Sequence, residues 1–534
     1  MTAEGLKPEG VRAAELIGAL SLATDLGMGF PLEHGLQSTL VAMRLCDRLA
    51  VDSETTSHAY YACLLFYVGC TVDAEVAAET FPDGNLFAHF QPVIFGSPRE
   101  TMAGIVRALA DPGKPGPLGL AQAATRLPKA IRGHRRHIAA LCEVAQMLSE
   151  RLGAPQPVAE MFAHLTERWD GKSEPGLIKG EELPLPLRIV HVARDAAFQQ
   201  LIGGVEHAAA VIAERAGRAF DPEIAGVVAN DAVDLLQPVS DEAAWSEVLG
   251  AEPKPRITLV AEAVDRALAA MGDFADLLSP FLTGHSAGVS SLAAAAAEQS
   301  GLAPSAVAEV RRGGWVHDLG RVAVSAGTWQ SEGPLTRDEW EQVRLHAYYT
   351  ERILSLSPFL TELIPAASFH HERIDGTGYH RSSKAAAITA AGRLVAAADR
   401  YHAMTSSRPH RNGLTPERAA ALLSEESRTG GLDSQSVEAV LTAAGQPRPR
   451  HSHPAGLTDR EVEVVVLLAR GLQTKQIARA LSIAASTADH HVQHAYSKMG
   501  VSTRAAAAVF AMEHGLTEWR ISPIPDSVWP LQAP

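Results

Sequence analysis

Seven histidine and aspartate side chains in the second half of the chain are of the types that bind metal ions. They are His285, the adjacent pair His317 and Asp318, His346, the adjacent pair His370 and His371, and Asp399. Imidazole together with carboxylate suits Fe, Mn, Zn, Co or Ni, whereas carboxylates alone would indicate Mg or Ca. On one helix, adjacent residues point about 100° apart, so Asp318 could bridge two metals while His317 holds one of them. Two such metals clamp a phosphodiester and activate water.

An altered version of the same pattern stands nearer the N-terminus. DLLSPFLTGHSAG around His285 resembles DLGMGFPLEHGLQ around His34. His317 follows His285 by 32 residues, and Phe66 follows His34 by the same 32 residues. Repetition at a fixed spacing indicates a duplicated structural unit.

Further motifs keep this register. HHERIDGTG from His370 resembles LTERWDGKS from Leu165, and 29 residues separate each start from Asp399 and Arg194, respectively. The first copy replaces all but one of the metal-binding types: it keeps His34 but carries Phe66, Tyr67, Cys142, Leu165, Thr166 and Arg194. The helical framework survives where the polar set is lost, which indicates that the set serves a site and not the fold. The first copy also has 47 extra residues between Phe66 and Cys142, including the turn-rich DPGKPGP, which predict an inserted loop.

The apolar spacing is mostly helical, and Ala-rich runs favour helix over strand. We therefore expect an all-α chain: two tandem helical bundles at 12–240 and 257–445, the second opening with a long helix near Ile257. QPRPRHSHPAG (446–456) is rich in Pro and basic residues and predicts a linker. A compact module at 457–516 and a Pro-rich tail at 517–534 complete the chain.

Composition restricts the class of protein. A net charge of −14 in 534 residues argues against coating nucleic acid or an anionic membrane along the whole length, but not against one small DNA-reading module. The four cysteines, Cys46, Cys63, Cys70 and Cys142, match no zinc spacing and predict buried thiols. No apolar stretch reaches the roughly 18 residues of a membrane span, and no signal peptide is visible, so a cytoplasmic location is expected.

The C-terminal module has the pattern of a helix-turn-helix. Thr458 and Glu461 form a capping box before the apolar run that ends at Gly471. A second helix is predicted from near Thr474, a third up to Gly500, and a fourth over VSTRAAAAVFAMEHG. In this arrangement the later helix of the pair enters the major groove of DNA.

The second copy resembles the HD-GYP branch of the HD phosphohydrolases. The matching motifs are GHS, HDLGR, HHERIDGTGY and ADRYHAMTSSRPHR. The resemblance implies a helical bundle around a two- or three-metal centre that hydrolyses cyclic di-GMP. By position it implies seven metal ligands: His285, His317, Asp318, His346, His370, His371 and Asp399. It also implies that Asp318 bridges the metals and that Asp318 and Arg321 are the catalytic residues.

The second copy departs from the pattern of this family at several positions. Arg321 stands where a phosphate-binding Lys is common, and His380 where the Pro of the GYP triplet belongs. Phe281 replaces the Glu of trinuclear members, which favours two divalent transition metals such as Fe or Mn. His402 replaces a common Asp. Substrate phosphate would meet Arg321, Arg408 and Arg411. DGTG (375–378) is a turn whose glycines supply positive φ and could approach the ligand.

The C-terminal module resembles the LuxR-type DNA-binding domain, through LTDRE, ARGLQTKQIA and KMGVSTRAAA. The resemblance makes 486–498 the recognition helix. It implies these DNA-binding residues: Thr474, Lys475, Gln476, Ser486, Thr487, Asp489, His490, Gln493, Lys498 and Arg504. Six Lys and Arg against five Asp and Glu predict modest affinity from phosphate contacts. The alternative is a helical module that docks a protein.

Together these patterns indicate a transcriptional regulator that joins a metal-dependent phosphodiesterase-like domain to DNA binding. A cyclic dinucleotide such as cyclic di-GMP and DNA are the expected partners, and a homodimer without membrane contact is the expected assembly. Two alternatives stay open: a catalytically inactive transcription factor that senses a nucleotide, and a phosphohydrolase of another nucleotide.

Overall fold

The computed structural model describes residues 10–69, 95–97, 99–100, 103–104, 106, 140–173, 176–445 and 453–518. Cys70, most of the predicted inserted loop, much of the linker and nearly all of the tail lie outside these ranges. The described chain is helical apart from one short two-stranded sheet, so the all-α expectation is confirmed. It divides into two compact units, and the chain passes from the first to the second between Ala267 and Leu268.

The first unit contains the first copy. Its helices are Ala13–Met28, His34–Leu49, Ser53–Leu65, 140–151, Gln156–Met161, Leu185–Arg215, Pro222–Leu235 and Asp241–Ala251, with 3-10 turns at Phe162–His164 and Gly180–Glu182. Strand Val11–Arg12 pairs antiparallel with Thr258–Leu259, and Val11 lies opposite Leu259. The His34–Leu49 helix packs against Leu185–Arg215, which places His34 and Arg194 on neighbouring helices.

The long helix expected near Ile257 begins later, at Glu262. Residues 258–259 are drawn into the sheet, and the Ala13 amide donates to the Ile257 carbonyl at 2.9 Å. The preceding helix also belongs to the first unit, because the buried Tyr60 hydroxyl donates to Val248 O at 3.0 Å. Tertiary pairing with the N-terminal strand overrides the local helical pattern here.

The second unit contains the second copy and the C-terminal module. The copy consists of helices Glu262–Asp276 (begun in the first unit), His285–Gln299, Pro304–Val316, Ala326–Trp329, Arg337–Leu354, Pro358–Thr361, Ile364–Ala367, Ala390–Thr405, Pro416–Arg428 and Ser434–Ala444, with 3-10 turns at Pro280–Leu282, Leu319–Ala323 and Ala385–Ala387. Its core packs His285–Gln299 against Pro304–Val316 and Ala390–Thr405 around buried Val289, Val310 and Val395.

The two copies share a buried carboxylate that fixes the start of the first motif helix. Asp25 Oδ2 accepts the Gly35 amide at 2.8 Å, and Asp276 Oδ2 accepts the Ser286 amide at 2.8 Å. Each acceptor lies nine residues before the first motif histidine and satisfies a backbone amide that has no partner within its helix. This common detail supports the duplication read from the sequence.

The C-terminal module consists of helices Asp459–Ala469, Thr474–Ala480, Ala485–Met499 and Arg504–Glu513, with 3-10 turns at Pro454–Gly456 and Leu516–Glu518. The predicted capping box is present: Thr458 Oγ1 accepts the Glu461 amide and Glu461 Oε2 accepts the Thr458 amide. The second and third helices pack through Ile477, Ala488 and Val492. These contacts build the helix-turn-helix that the sequence predicts.

The module is anchored on the second copy beside its first motif histidine. Thr283 Oγ1 donates to Ala469 O at 2.8 Å, at the end of the module's first helix. A Cβ on Gly284 would lie 2.1 Å from Thr517 Oγ1, so only glycine permits this approach. The fourth helix is buried all round, since every residue from Ala505 to Met512 is below 9% exposed. The C-terminal module therefore contacts the second copy at the two residues directly before His285.

None of the helices in the described ranges is long and apolar enough to cross a bilayer.

Candidate metal centre

Asp318 lies at the centre of the second copy, where the Pro304–Val316 helix ends. His317 and Asp318 are completely buried. Gly320 follows in a 3-10 turn, and a Cβ there would lie 2.1 Å from His346 O. The glycine of HDLG thus lets the turn lie against the Arg337–Leu354 helix, which carries His346.

One oxygen of Asp318 faces a first group of donors. Asp318 Oδ2 lies 2.9 Å from His317 Nε2 and 3.3 Å from His285 Nε2. Asp399 Oδ1 lies 3.1 Å from His285 Nε2. Donor atoms of these four residues all lie within 4.8 Å of one another. The donor atoms of His317, Asp318 and Asp399 therefore converge in this first group.

The other oxygen of Asp318 faces a second group of donors. Asp318 Oδ1 lies 3.4 Å from His346 Nε2 and 3.4 Å from His370 Nε2. The two imidazole nitrogens are 3.1 Å apart, and His371 completes the group within 4.8 Å. A carboxylate between two donor groups, one oxygen toward each, has the geometry of a bridge.

Several donor atoms in the centre are buried without a hydrogen-bond partner. They are His285 Nε2, His317 Nε2, Asp318 Oδ1 and Asp399 Oδ1. Leaving such atoms unpaired costs about 1–3 kcal/mol each, and more when they are charged. Buried, unsatisfied and converging nitrogen and oxygen donors fit a bound transition metal.

Electrostatics keep the carboxylates ionised and most imidazoles neutral. Burial alone would raise the pKa of Asp318, but Arg321 and His317 hold that pKa well below its usual range. Asp399 behaves alike: contacts with His285 and nearby His371 outweigh burial and hold its pKa low. Burial lowers the pKa of His317, His346 and His371. These are the protonation states in which the side chains bind metal.

His285 differs from the other histidines of the centre. Burial favours its neutral form, but contacts with Asp318 and Asp399 outweigh burial and raise its pKa.

Arg321 lies against the centre with part of its guanidinium unsatisfied. Its Nη2 lies 2.7 Å from Asp318 Oδ2, whereas Nε and Nη1 are buried without hydrogen-bond partners. Trp329 supports it, with the guanidinium carbon 5.2 Å from the ring centroid. A charged guanidinium with free donors at this place suits a phosphate oxygen.

Arg408 and Arg411 serve the backbone in this structure. Arg408 Nη1 donates to Phe281 O at 2.8 Å, and burial lowers the pKa of Arg408 to about 10. Arg411 donates to the carbonyls of Ala403 at 2.6 Å and Met404 at 3.2 Å, at the end of the Ala390–Thr405 helix. Arg411 is therefore a helix C-terminal cap here, since the last carbonyls of a helix lack partners within it.

The DGTG turn borders the second donor group. Gly376 has φ 81°, and a Cβ on Gly378 would lie 2.5 Å from His371 O. Tyr379 stacks on His371 at 4.7 Å between ring centroids. Buried Glu372, which we did not single out from the sequence, accepts the Arg381 amide at 2.7 Å and so fixes the turn. The position of Glu372 inside the HHER motif is the sequence feature that indicates its role.

The corresponding interior of the first copy is filled by side chains. Phe66 and Leu165 are each 2% exposed. Arg194, at the position of Asp399, lies with its guanidinium carbon 4.2 Å from the ring centroid of Tyr67, which stands at the position of Asp318. Arg194 also donates to Cys63 O at 3.0 Å. A fixed cation thus occupies the place corresponding to the metal centre.

The predicted DNA-reading residues share one face of the recognition helix. Ser486, Thr487, Asp489, His490 and Gln493 are all exposed on Ala485–Met499, while Ala488, Val492 and Ala495 form its buried face. Lys475 is exposed at the start of the preceding helix; Thr474 and Gln476 are half-buried there.

Lys498 and Arg504 each form a hydrogen bond within the module. Lys498 Nζ donates to Glu461 Oε2 at 2.6 Å, and Arg504 Nη1 donates to Gly471 O at 2.7 Å. Both bonds tie later helices of the module to its first helix. Contact of Lys498 and Arg504 with DNA phosphate stays a prediction.

Comparisons with known proteins agree with this geometry. The HD domain profile matches residues 117–224 and 270–435, and the profile of bacterial regulatory proteins of the luxR family matches 455–511. The 3'3'-cGAMP-specific phosphodiesterase 3 of Vibrio cholerae serotype O1 is 26% identical over 80% of this chain and 94% of its own length.

A cyclic di-GMP phosphodiesterase of Thermotoga maritima is 36% identical over 29% of this chain, which spans 43% of that relative. A crystal structure described as a cyclic GMP-AMP specific phosphodiesterase of V. cholerae shares the fold, with a TM-score of 0.56, 23% identity, and coverage of 82% of this chain and 99% of that one. The chain belongs to the HD domain family and carries a C-terminal domain of the luxR family of bacterial regulatory proteins.

Proposed function

We propose that the second copy is a metal-dependent phosphodiesterase of cyclic dinucleotides whose state governs a DNA-binding output. The observation that carries this proposal is the position of Asp318, whose two buried oxygens face two separate donor groups, one oxygen toward each. The activities named for the relatives, on cyclic di-GMP and 3'3'-cGAMP, indicate the substrate class.

Two divalent metals, Fe or Mn in our proposal, would be held by the two groups. His285, His317 and Asp399 would hold one, His346, His370 and His371 the other, and Asp318 would bridge them. Such a pair supplies an acidified water and neutralises charge on phosphodiester oxygens.

The chain's own residues would bind and orient the substrate. The free Nη1 of Arg321 would hold a phosphate oxygen, and Trp329 would keep the guanidinium in place. Arg408 adds positive charge near Asp318 and Asp399. Positioning of a charged ester beside its nucleophile contributes much of the rate enhancement in phosphoryl transfer.

The output module would bind DNA through the exposed face of Ala485–Met499. A homodimer is proposed because helix-turn-helix modules commonly read two half-sites as dimers. Near-neutral charge in the module predicts that base contacts carry more of the affinity than phosphate contacts.

One observation favours a second candidate, a nucleotide sensor without turnover. Arg321 Nη2 lies 2.7 Å from Asp318 Oδ2, so a protein cation already neutralises the carboxylate that would bridge the metals. In that case the nucleotide would bind and would be released unchanged.

The test loads the full-length protein with Mn or Fe and incubates it with cyclic di-GMP, cyclic GMP-AMP and linear nucleotides, with products resolved by chromatography. We expect cleavage of a cyclic dinucleotide, and loss of at least about 1000-fold in Asp318→Asn, because the shared carboxylate is gone. The matched control is Asp338→Asn, at an exposed aspartate on the first turn of the helix that carries His346.

Calorimetric binding with the same nucleotides separates the candidates. Tight binding without product would favour the sensor. Neither binding nor turnover of any cyclic dinucleotide by the metal-loaded protein would contradict both.

A further inference from the structure

We propose that His402 is a positioning residue that orients His285 for metal binding. The position of His402 follows Asp399 by one helical turn on Ala390–Thr405. The inference rests on the proposed metal centre and adds a residue to it that the seven ligands do not include.

The other buried histidines of the centre are oriented by their own backbone. His317 Nδ1 lies 2.8 Å from Gly314 O, and His370 Nδ1 lies 2.6 Å from Ala367 O. His346 Nδ1 makes the same kind of contact with Val343 O. In each case the carbonyl three residues earlier accepts the Nδ1 proton, and Nε2 is left with a lone pair for a metal.

His285 has no such carbonyl in its own helix. It is the first residue of His285–Gln299, and the preceding Gly284 has φ 74°, so the chain three residues earlier is outside the helix. Its Nδ1 instead lies 2.9 Å from His402 Nδ1. Its Nε2 points to the carboxylates, 3.3 Å from Asp318 Oδ2 and 3.1 Å from Asp399 Oδ1.

This arrangement selects one tautomer when metal is bound. The lone pair on Nε2 is needed by the metal, so the proton of neutral His285 must be on Nδ1. His402 Nδ1 can accept that proton in a hydrogen bond if the His402 proton is on Nε2. A metal-bound histidine usually donates to a carboxylate, a carbonyl or water. Here an imidazole takes that place, so this ligand is held in orientation with less added negative charge.

The neighbouring helix is shaped to admit the His402 ring. A Cβ on Gly288, one turn after His285, would lie 2.1 Å from His402 Nε2. The ring centroids of His285 and His402 are 5.0 Å apart. The glycine therefore makes room for the imidazole at the one face of the His285 helix where it can reach Nδ1.

The test measures metal binding to the full-length protein. Mn²⁺ titration followed by electron paramagnetic resonance of the free ion gives the affinity, and elemental analysis after desalting gives the stoichiometry. His402→Leu fills the space without an acceptor, whereas His402→Asn places an amide oxygen near the former Nδ1. We expect binding at the group containing His285 to weaken about 10–100-fold in His402→Leu and to stay within about 3-fold of wild type in His402→Asn.

A second variant reaches the same contact from the other helix. Gly288→Ala displaces the His402 ring and should weaken binding as His402→Leu does. His207→Leu removes an exposed histidine of the first unit and should change nothing. The spectrum of the Co²⁺-loaded protein should change in His402→Leu, because one imidazole ligand is misoriented. A residue that served only folding would lower the unfolding temperature in both His402 variants alike.

The outcomes separate the two proposals. Wild-type affinity in His402→Leu, or equal loss in His402→Leu and His402→Asn, would overturn the positioning role while leaving the metal centre intact. Absence of metal binding by the wild-type protein would overturn the metal centre itself.

Discussion

At the scale of single residues, the same side-chain type has different tasks according to its neighbours. Arg321 has two buried donors without partners beside Asp318, whereas Arg411 donates to the carbonyls that end a helix. Arg194 in the first copy lies over aromatic rings. The charge is equal in all three, but of the three only Arg321 has unused donors beside Asp318, where a substrate phosphate would be bound.

Replacement of Arg321 should therefore affect substrate binding more than folding. For Arg321→Met we expect kcat/KM on the cyclic dinucleotide to fall by about 10–100-fold, because a charge-assisted hydrogen bond contributes about 1.5–3 kcal/mol. Arg321→Lys should lose less, since it keeps charge without the fork. Steady-state kinetics gives the values, and Arg337→Met, at an exposed position, is the control.

The same variant should bind metal at least as tightly as wild type, because a cation 2.7 Å from Asp318 Oδ2 competes with metal for that oxygen. Unchanged kcat/KM in Arg321→Met would remove this arginine from the substrate site.

At the scale of elements, helix ends position much of the chemistry. His285 begins a helix, His317 follows the end of one, and the DNA module begins at the capping box of Thr458 and Glu461. Side chains at helix ends can satisfy backbone groups that have no partner within the helix. The Glu461 carboxylate also accepts Lys498 Nζ at 2.6 Å, so one cap connects two helices of the module.

Loss of this cap should destabilise the C-terminal module in a pH-dependent manner. Burial alone would raise the pKa of Glu461, but Lys498 and Thr458 outweigh it and lower the pKa from its ordinary 4.5 to about 2. A carboxyl group with a depressed folded-state pKa stabilises fully above the unfolded value and loses that contribution as pH falls through the folded value. At pH 7, Glu461→Gln should cost about 1 kcal/mol.

Hydrogen exchange in Asp459–Ala469, corrected for intrinsic rates, measures this difference in the full-length protein. The gap between wild type and Glu461→Gln should close as pH falls from 4.5 toward about 2. Glu463→Gln, whose partner Arg460 lies at the surface, should stay within about 0.5 kcal/mol of wild type. A gap that persists at the lowest pH would contradict the assignment.

At the scale of the whole molecule, the two copies differ in the charged groups that their interiors contain. The interior of the second copy contains carboxylates and imidazoles that are suited to bind a metal cation. The first places the Arg194 guanidinium 4.2 Å from the Tyr67 ring centroid, and Tyr67, Cys63 and Asp25 outweigh burial to raise the pKa of Arg194. A cation that belongs to the chain cannot be removed by a chelator.

Metal removal should therefore loosen the second copy alone. After chelation we expect faster hydrogen exchange in His285–Gln299 and Ala390–Thr405, because a ligand at 100 times its dissociation constant stabilises by about 2.7 kcal/mol. Exchange in His34–Leu49 should not change. Asp318→Asn serves as the control, since its exchange should no longer respond to metal. An equal response in both copies would refute this division.

Coupling between nucleotide and DNA is a separate expectation. The module contacts Thr283 and Gly284, immediately before His285, so a change at the centre has a short route to the DNA-binding helices. We expect cyclic di-GMP to change the affinity for a selected DNA site by about 5–150-fold, provided that it favours one arrangement of the module.

DNA binding measured by fluorescence anisotropy, with and without cyclic di-GMP, in wild type and in Asp318→Ala, tests this coupling. The response should vanish in the variant. Equal DNA affinity under all four conditions would make the two ends functionally independent.

The sequence by itself determined the elements and the types of side chain. Helical periodicity and the capping box at Thr458 are local patterns, and the internal repeat is a recurrence of such patterns along the chain. The helices and the capping box are present in the structure. The seven candidate metal-binding residues were visible because the first copy, which lacks six of them, served as an internal control.

Only the tertiary structure decided which atoms meet. That Asp318 directs one oxygen to each donor group, that His402 reaches His285, and that Lys498 and Arg411 are engaged inside the protein depend on helices far apart in the chain. The start of the helix at Glu262 was missed for the same reason, since a strand partner more than 200 residues away claimed residues 258–259. Local propensity sets the element, and packing between distant elements sets the direction of each side chain.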